Sequence, residues 1–224
     1  MAAPKAEPVS IALTAGTVSG LLVAPKNARA AYVMAHGAGA GMAHSFMAAV
    51  AAGFAERGIA TLRYQFPYME AGGKRPDPPA VAHAAVRAAV EAARKRFPKL
   101  PLFAGGKSFG GRMTSQAQAK APLNVRGLIF FGFPLHPAGK PSQERAAHLS
   151  DVAIPMLFLQ GTRDALATLD QLQPVCAALG SRATLKLFED ADHSFHVPAR
   201  TGRKDAEVMA EMLDTAAGWI DAQR

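Results

Sequence analysis

Apolar runs of five to seven residues alternate with helix-length stretches along almost the whole chain, and few folds accommodate that order. The strand-like runs are residues 9–14, 17–23, 30–35, 59–64, 100–104, 127–131, 155–160 and 183–188. The first two flank Ala15-Gly16 and read as a hairpin. The last four are nearly continuously apolar, the pattern of strands covered on both faces. Helical patterns occupy 79–97, 108–121, 168–179 and 204–222. In the first of these, Val86, Val90, Ala93 and Phe97 share one stripe while His83, Arg87, Glu91 and Lys95 share another. Pro79 at its start and Arg94-Lys95-Arg96 at its end suit the helix dipole. The order predicts a mostly parallel sheet of about eight strands with helices on both faces.

With 224 residues, half of them hydrophobic and 19% charged, the chain can bury a full core without disulfides or metals. A disordered polypeptide is excluded, and residues 1–224 read as one domain, with 1–8 as a loose N-terminal extension. Residues 30–55 carry no Lys, Arg, Asp or Glu, yet Gly37, Gly39, Gly41, Gly53, His36 and His44 interrupt them. A strand, a glycine loop and a small-residue helix explain this stretch better than a membrane span. Cys176 has no partner for an intrachain disulfide, and no secretory signal is visible, so a cytoplasmic location is expected. The net charge of +8 raises nucleic acid as a partner. However, twelve Lys and Arg fall within 71–140 against only Asp77 and Glu91, without interleaved aromatics. That is a solvated basic face, and nucleic acid is not the expected partner.

The strongest chemical signal is Ala104-Gly105-Gly106-Lys107-Ser108-Phe109-Gly110-Gly111, set between an apolar run and a helical pattern. Gly106, Ser108 and Gly110 form Gly-x-Ser-x-Gly, the spacing of a nucleophile elbow. There the serine sits on a strained turn, and small neighbours two positions away avoid its backbone. The hydroxyl of Ser108 would be exposed, and the Phe109 N–H would be free to meet an oxyanion. The same residues fail as a phosphate-binding loop, because position 101 is Pro101 rather than glycine. After the third strand comes His36-Gly37-Ala38-Gly39-Ala40-Gly41-Met42, where Ala38 is the candidate for the second oxyanion N–H. A dinucleotide loop would need glycine at position 42 and an acidic residue ending the next strand, which instead ends Arg63-Tyr64.

Asp164 follows the seventh strand, and Asp190-Ala191-Asp192-His193-Ser194-Phe195-His196 follows the eighth. His193 suits a general base reaching Ser108, with Asp164 on its other nitrogen; His196 is the competing base. A His193/His196 metal pair lacks accompanying ligands. The order Ser108, Asp164, His193, each at a strand end, is that of the α/β-hydrolase fold.

On these blocks, together with 63–70 and 132–137, the chain resembles compact α/β-hydrolases of the dienelactone-hydrolase-like kind. It is most similar to bacterial members related to the testis-expressed 30 and NSL-complex subunit 3 proteins. The likeness runs from about residue 17 to the last helix. It implies a Ser108–Asp164–His193 triad, Ala38 and Phe109 as oxyanion donors, and a single domain without a substantial cap. One departure is the nucleophile, which is cysteine in dienelactone hydrolases proper and serine here; this weighs against dienelactone itself. The expected activity is hydrolysis of a small-molecule carboxylic ester, thioester or lactone, with no metal or organic cofactor. Because eukaryotic relatives include chromatin-complex subunits, a binding or scaffold role on the same fold is the alternative. Met42, His44, Phe66, Tyr68 and His136, on loops leaving strand ends, are candidate substrate contacts. Only about twenty residues join the sixth and seventh strands, so an open, shallow site is expected.

Overall fold

The computed structural model describes residues 4–224. Eight strands form one sheet: β1 (Glu7–Ala12), β2 (Thr17–Val23), β3 (Ala30–Ala35), β4 (Ile59–Tyr64), β5 (Leu102–Lys107), β6 (Leu128–Phe131), β7 (Met156–Gly161) and β8 (Ala183–Phe188). Their spatial order is β1-β2-β4-β3-β5-β6-β7-β8, with β2 antiparallel to both neighbours and every pair from β4 to β8 parallel. The hairpin expected at the N-terminus is present. Its first strand starts at Glu7, because the ladder to β2 pairs Glu7 with Leu22 and Pro8 with Leu21. The expected loose extension is thereby corrected at residues 7 and 8, while 1–3 lie outside the described residues. Strand β5 also runs past the expected residue 104 to Lys107, since Gly105, Gly106 and Lys107 keep pairing with β6.

Among the described residues, six α-helices accompany the sheet: α1 (Ser45–Glu56), α2 (Pro67–Glu70), α3 (Pro79–Arg96), α4 (Phe109–Lys120), α5 (Leu169–Leu179) and α6 (Asp205–Ala222). Helices α1 and α6 pack together on one face, and α3, α4 and α5 lie on the other. The continuous apolar runs result from this arrangement. Ala31, Val33 and Ala35 of β3 enter one core, and Ala30, Tyr32 and Met34 enter the other. Likewise β6 sends Leu128 and Phe130 one way and Ile129 and Phe131 the other. No helix among the described residues is long and apolar enough to cross a membrane. Between β6 and β7 only a single-layer 3₁₀ segment (Glu144–Asp151) intervenes, so no cap domain stands over the carboxyl edge of the sheet.

The elbow after β5 depends on missing side chains. A Cβ on Gly110, in the first turn of α4, would lie 2.5 Å from the carbonyl oxygens of both Ala35 and His36. A Cβ on Gly106 would collide with the Ala35 carbonyl. The helix can therefore start flush against the end of β3. Gly110→Ala is expected to cost about 1–3 kcal/mol of stability, because backbone carbonyls have little room to move. Gly218→Ala, with open space around its Cβ on α6, should instead be neutral or stabilising by about 0.5–1 kcal/mol. Urea denaturation of the two variants checks the contrast.

Candidate active site

Ser108 occupies the turn between β5 and α4 at φ 50° and ψ −117°, a left-handed conformation that L-residues rarely adopt. Its N–H is held by the Phe131 carbonyl at 3.1 Å, so β6 fixes the turn. Phe109 is the first residue of α4, so its N–H has no intrahelical acceptor. Across the gap, the Ala38 N–H also has no acceptor among the described residues. Ala38 and Ser108 both line a cavity of about 820 Å³. The structure thus brings Ser108 of the expected elbow and Ala38 of the expected oxyanion loop to one cavity.

His193 stands between Ser108 and Asp164. Its Nε2 is 2.9 Å from Ser108 Oγ, and its Nδ1 is 2.6 Å from Asp164 Oδ2. With Nδ1–H donating to the carboxylate, Nε2 is left as the acceptor for the serine hydroxyl. The Asp164 side chain is fully buried, whereas that of His193 keeps 24% of its surface exposed. A buried carboxylate needs donors, and Asp164 has three. Besides His193, its Oδ1 accepts from the Leu166 N–H at 2.8 Å and its Oδ2 from Gln160 Nε2 at 2.5 Å. Gln160 in turn accepts from the Phe133 N–H at 2.8 Å, tying the loop after β6 to the aspartate. Gln160 is legible in the sequence only as part of a block; its role as Asp164's support is not.

The loop carrying His193 folds around Asp192, whose Oδ1 accepts from the N–H groups of Ser194 (2.7 Å) and His196 (3.0 Å). His196 turns away to Asp205 at the start of α6 (2.9 Å), so it neither reaches Ser108 nor shares a ligand position with His193. The exposed His196 is held toward its charged form by that carboxylate, chiefly through the hydrogen bond. Among the described residues no three His, Cys, Asp or Glu side chains converge on a common point.

Of the five expected substrate contacts, the structure brings only His44 to the cavity wall, where its Nδ1 also caps α1 through the Phe46 N–H. The other four are corrected, because each is engaged in holding a loop. The Met42 N–H donates to Gln65 Oε1 and its carbonyl accepts from Arg63 Nη1. Phe66 is fully buried between His36, Tyr64 and Phe109. The Tyr68 hydroxyl accepts from the Gly39 N–H at 3.3 Å, and His136 is buried with its Nδ1 on the Pro137 carbonyl. His36 also proves structural: burial lowers its pKa, and its Nε2 accepts from the Phe66 N–H at 3.1 Å. The cavity wall instead comes from Phe46 and Met47 of α1, Leu166, Phe195, and Met209 and Met212 of α6. These walls line a cavity of about 820 Å³ that stays open to solvent, and no cap covers it among the described residues.

A family model described as an alpha/beta hydrolase domain matches residues 28–221. The chain belongs to the alpha/beta hydrolase family. Solved structures of similar fold span nearly the whole hydrolase. A lidless α/β serine hydrolase from Xanthomonas campestris is 21% identical, covers 96% of this chain and 95% of its own, and superposes with a TM-score of 0.76. A dienelactone hydrolase from Anabaena variabilis is 20% identical, covers 98% of both chains and gives 0.80. The esterase domain of a Rhodothermus marinus protein is 14% identical, covers 96% of this chain and 97% of its own, and gives 0.73.

Removing the Gln160 amide leaves one donor fewer on a buried carboxylate and strands the Phe133 N–H. Gln160→Ala is therefore expected to destabilise the hydrolase by about 1–3 kcal/mol, measured as a lowered denaturation midpoint.

Proposed function

We propose that this hydrolase cleaves small-molecule carboxylic esters, thioesters or lactones through an acyl-enzyme on Ser108. The observation that carries the reading is the unbroken chain Ser108 Oγ–His193 Nε2–His193 Nδ1–Asp164 Oδ2, opening onto one cavity. In the forward step Ser108 Oγ attacks the carbonyl carbon while His193 Nε2 takes the hydroxyl proton. Asp164 keeps Nδ1 protonated and stabilises the imidazolium. The carbonyl oxygen becomes an oxyanion facing the Ala38 and Phe109 N–H groups. Each such donor is worth about 10²–10³ in turnover. Collapse expels the alcohol or thiol, which receives the proton from His193. Water then attacks the acyl-enzyme, again giving its proton to His193, and release of the acid returns that proton to Ser108.

The apolar wall of Phe46, Met47, Leu166 and Met209 favours a hydrocarbon acyl or alcohol group over a sugar or peptide. The ester and lactone arms of the proposal draw support from the esterase domain and the dienelactone hydrolase of similar fold. Within the family, we place the closer kinship with the dienelactone-hydrolase-like group that includes the testis-expressed 30 and NSL-complex subunit 3 relatives, on the sequence blocks quoted above. The buried thiol of Cys176, pushed up to about 12 by burial, is a packing group, in keeping with a reducing cytoplasm.

A serine-directed fluorophosphonate tests the mechanism. Intact mass should show one adduct on the wild type and none on Ser108→Ala, whose kcat on an ester should drop by about 10⁴-fold or more. A folded wild type that stays unlabelled would sink the proposal.

A further inference from the structure

The residue before the nucleophile has an unusual position for a lysine. Lys107 is the last residue of β5, and its side chain runs along the cavity beside Gly37 and Ser108. The ammonium Nζ donates to the backbone carbonyl of His193 at 2.6 Å. It sits over two aromatic rings, 5.9 Å from the centroid of Phe46 and 5.6 Å from that of Phe195. Those rings stack on each other with centroids 5.9 Å apart and planes only 11° from parallel. Space for the amine exists because position 132 is glycine: a Cβ there would lie 3.0 Å from Nζ and 3.3 Å from the His193 ring. A surface lysine would leave its ammonium in water. This one, half-buried on the cavity wall, exchanges part of its hydration for one carbonyl and two π-faces, which costs a charge some solvation.

We infer that Lys107 is a positioning residue, whose charged ammonium clamps the backbone of His193 so that Nε2 stays on Ser108 Oγ. The inference rests on the acyl-enzyme reading above. Ser108 is covalently next to Lys107, and His193 is hydrogen-bonded to it, so serine and histidine are held from one point. The imidazole is thus fixed at two places, by Asp164 on its ring and by Lys107 on its own backbone. Phe195, at φ 65° in the same loop, is the lysine's aromatic partner, so the strained turn and the clamp hold each other.

The clamp depends on protonation. Burial lowers the Lys107 pKa to about 8, against the upward pull of Asp164 and Asp192. The groups facing it are few. Asp164 comes from the end of β7, and Asp192 and His193 come from the loop after β8. His44 at the cap of α1 and Asp205 of α6 stand on the cavity wall, Asp205 already paired with His196. The end of β6 and the residue after it contribute only Phe131 and Gly132 here, and the residues after β3 only His36 and Gly37. Above about pH 8 the ammonium becomes a neutral amine, the charge-assisted bond and both cation–π contacts weaken, and His193 loosens. Stability moves in the opposite direction. Between about 8 and the ordinary lysine value near 10.4 the unfolded chain binds the proton that the folded one has lost, so this group adds stability as pH rises. Activity should therefore fall through a window in which this residue makes the fold firmer.

The test compares wild type, Lys107→Met and Lys107→Arg by ester hydrolysis, fluorophosphonate labelling rate and hydrogen exchange of residues 189–197. Wild type should lose kcat above about pH 8 while its melting temperature shows no matching fall. Lys107→Met should lower kcat about tenfold or more near pH 7, with KM for a neutral ester changed by less than about twofold. It should also lose the alkaline limb near pH 8, keep or raise its melting temperature, and exchange faster in the His193 loop. Lys107→Arg, charged throughout, should recover part of the rate and also lack that limb. A Lys107→Met enzyme with wild-type kcat and an unchanged alkaline limb overturns the inference. So does a variant that raises only KM for carboxylate-bearing esters, since the ammonium would then be a substrate contact. Failure of the underlying reading looks different: the wild type itself would take no fluorophosphonate. In that case, unchanged loop exchange in Lys107→Met refutes the clamp and faster exchange retains it.

Discussion

The approach of the first turn of α4 to the end of β3 governs everything around it. Two carbonyl oxygens, those of Ala35 and His36, occupy the space where Gly110 would carry a side chain. Gly106 meets the same strand from below. With both positions bare, strand and helix join through a single residue, and Ser108 takes the left-handed conformation that lifts its hydroxyl above the sheet. Strain of that kind, on the order of 1–3 kcal/mol, persists only where the surroundings over-determine it. Here they do so through the Phe131 carbonyl on the Ser108 N–H and the hydroxyl of Thr114 on the carbonyls of Gly105 and Gly110.

Charge in the site is managed by direct contact rather than by solvent. Asp164 is buried with its oxygens covered by an amide, a backbone N–H and an imidazole. None of these donors is a lysine or arginine, so no strong ion pair competes with His193 for the carboxylate. Lys107, a cation on the cavity wall, instead donates to a carbonyl of the histidine's own loop. Helix α6 closes the arrangement, since Asp205 at its first turn accepts from Val197 N–H and pairs with His196. One helix thus anchors the end of the histidine loop and, one to two turns later, supplies Met209 and Met212 to the cavity.

The middle of the sheet was legible because its strands are buried on both faces. The edge strands β1 and β8 are partly exposed, so the expectation that 183–188 is covered on both faces is corrected. In β3, β6 and β7 every residue is enclosed, so apolar runs mark the strands without ambiguity. Boundaries slipped where side chains stop reporting on the backbone: Gly105 and Gly106 continue β5 although nothing apolar marks them. That Ser108, Asp164 and His193 come together was foreseeable because each follows a strand end, and strand ends share one edge. The cavity wall could not. Phe66, Tyr68 and His136 look like pocket residues by loop position, yet tertiary packing turned them inward. Met212 belongs to a stripe that reads as core, and it is core; the same stripe simply continues to the rim. Lys107 lies within the elbow motif, but its partner is 86 residues away and nothing local announces it.

The bare carboxyl edge of the sheet bears on the fate of an acyl-enzyme. With only a 3₁₀ segment between β6 and β7, bulk solvent reaches the serine side of the cavity without any part having to open. An acyl group on Ser108 would meet bulk water, which greatly outnumbers dilute alcohols or amines that have no site to hold them. On the proposed mechanism, such an acyl-enzyme would partition toward hydrolysis rather than pass its acyl group to an unbound acceptor. On the same proposal no cap has to close over the substrate, which would leave selectivity to the shape of the walls on α1 and α6.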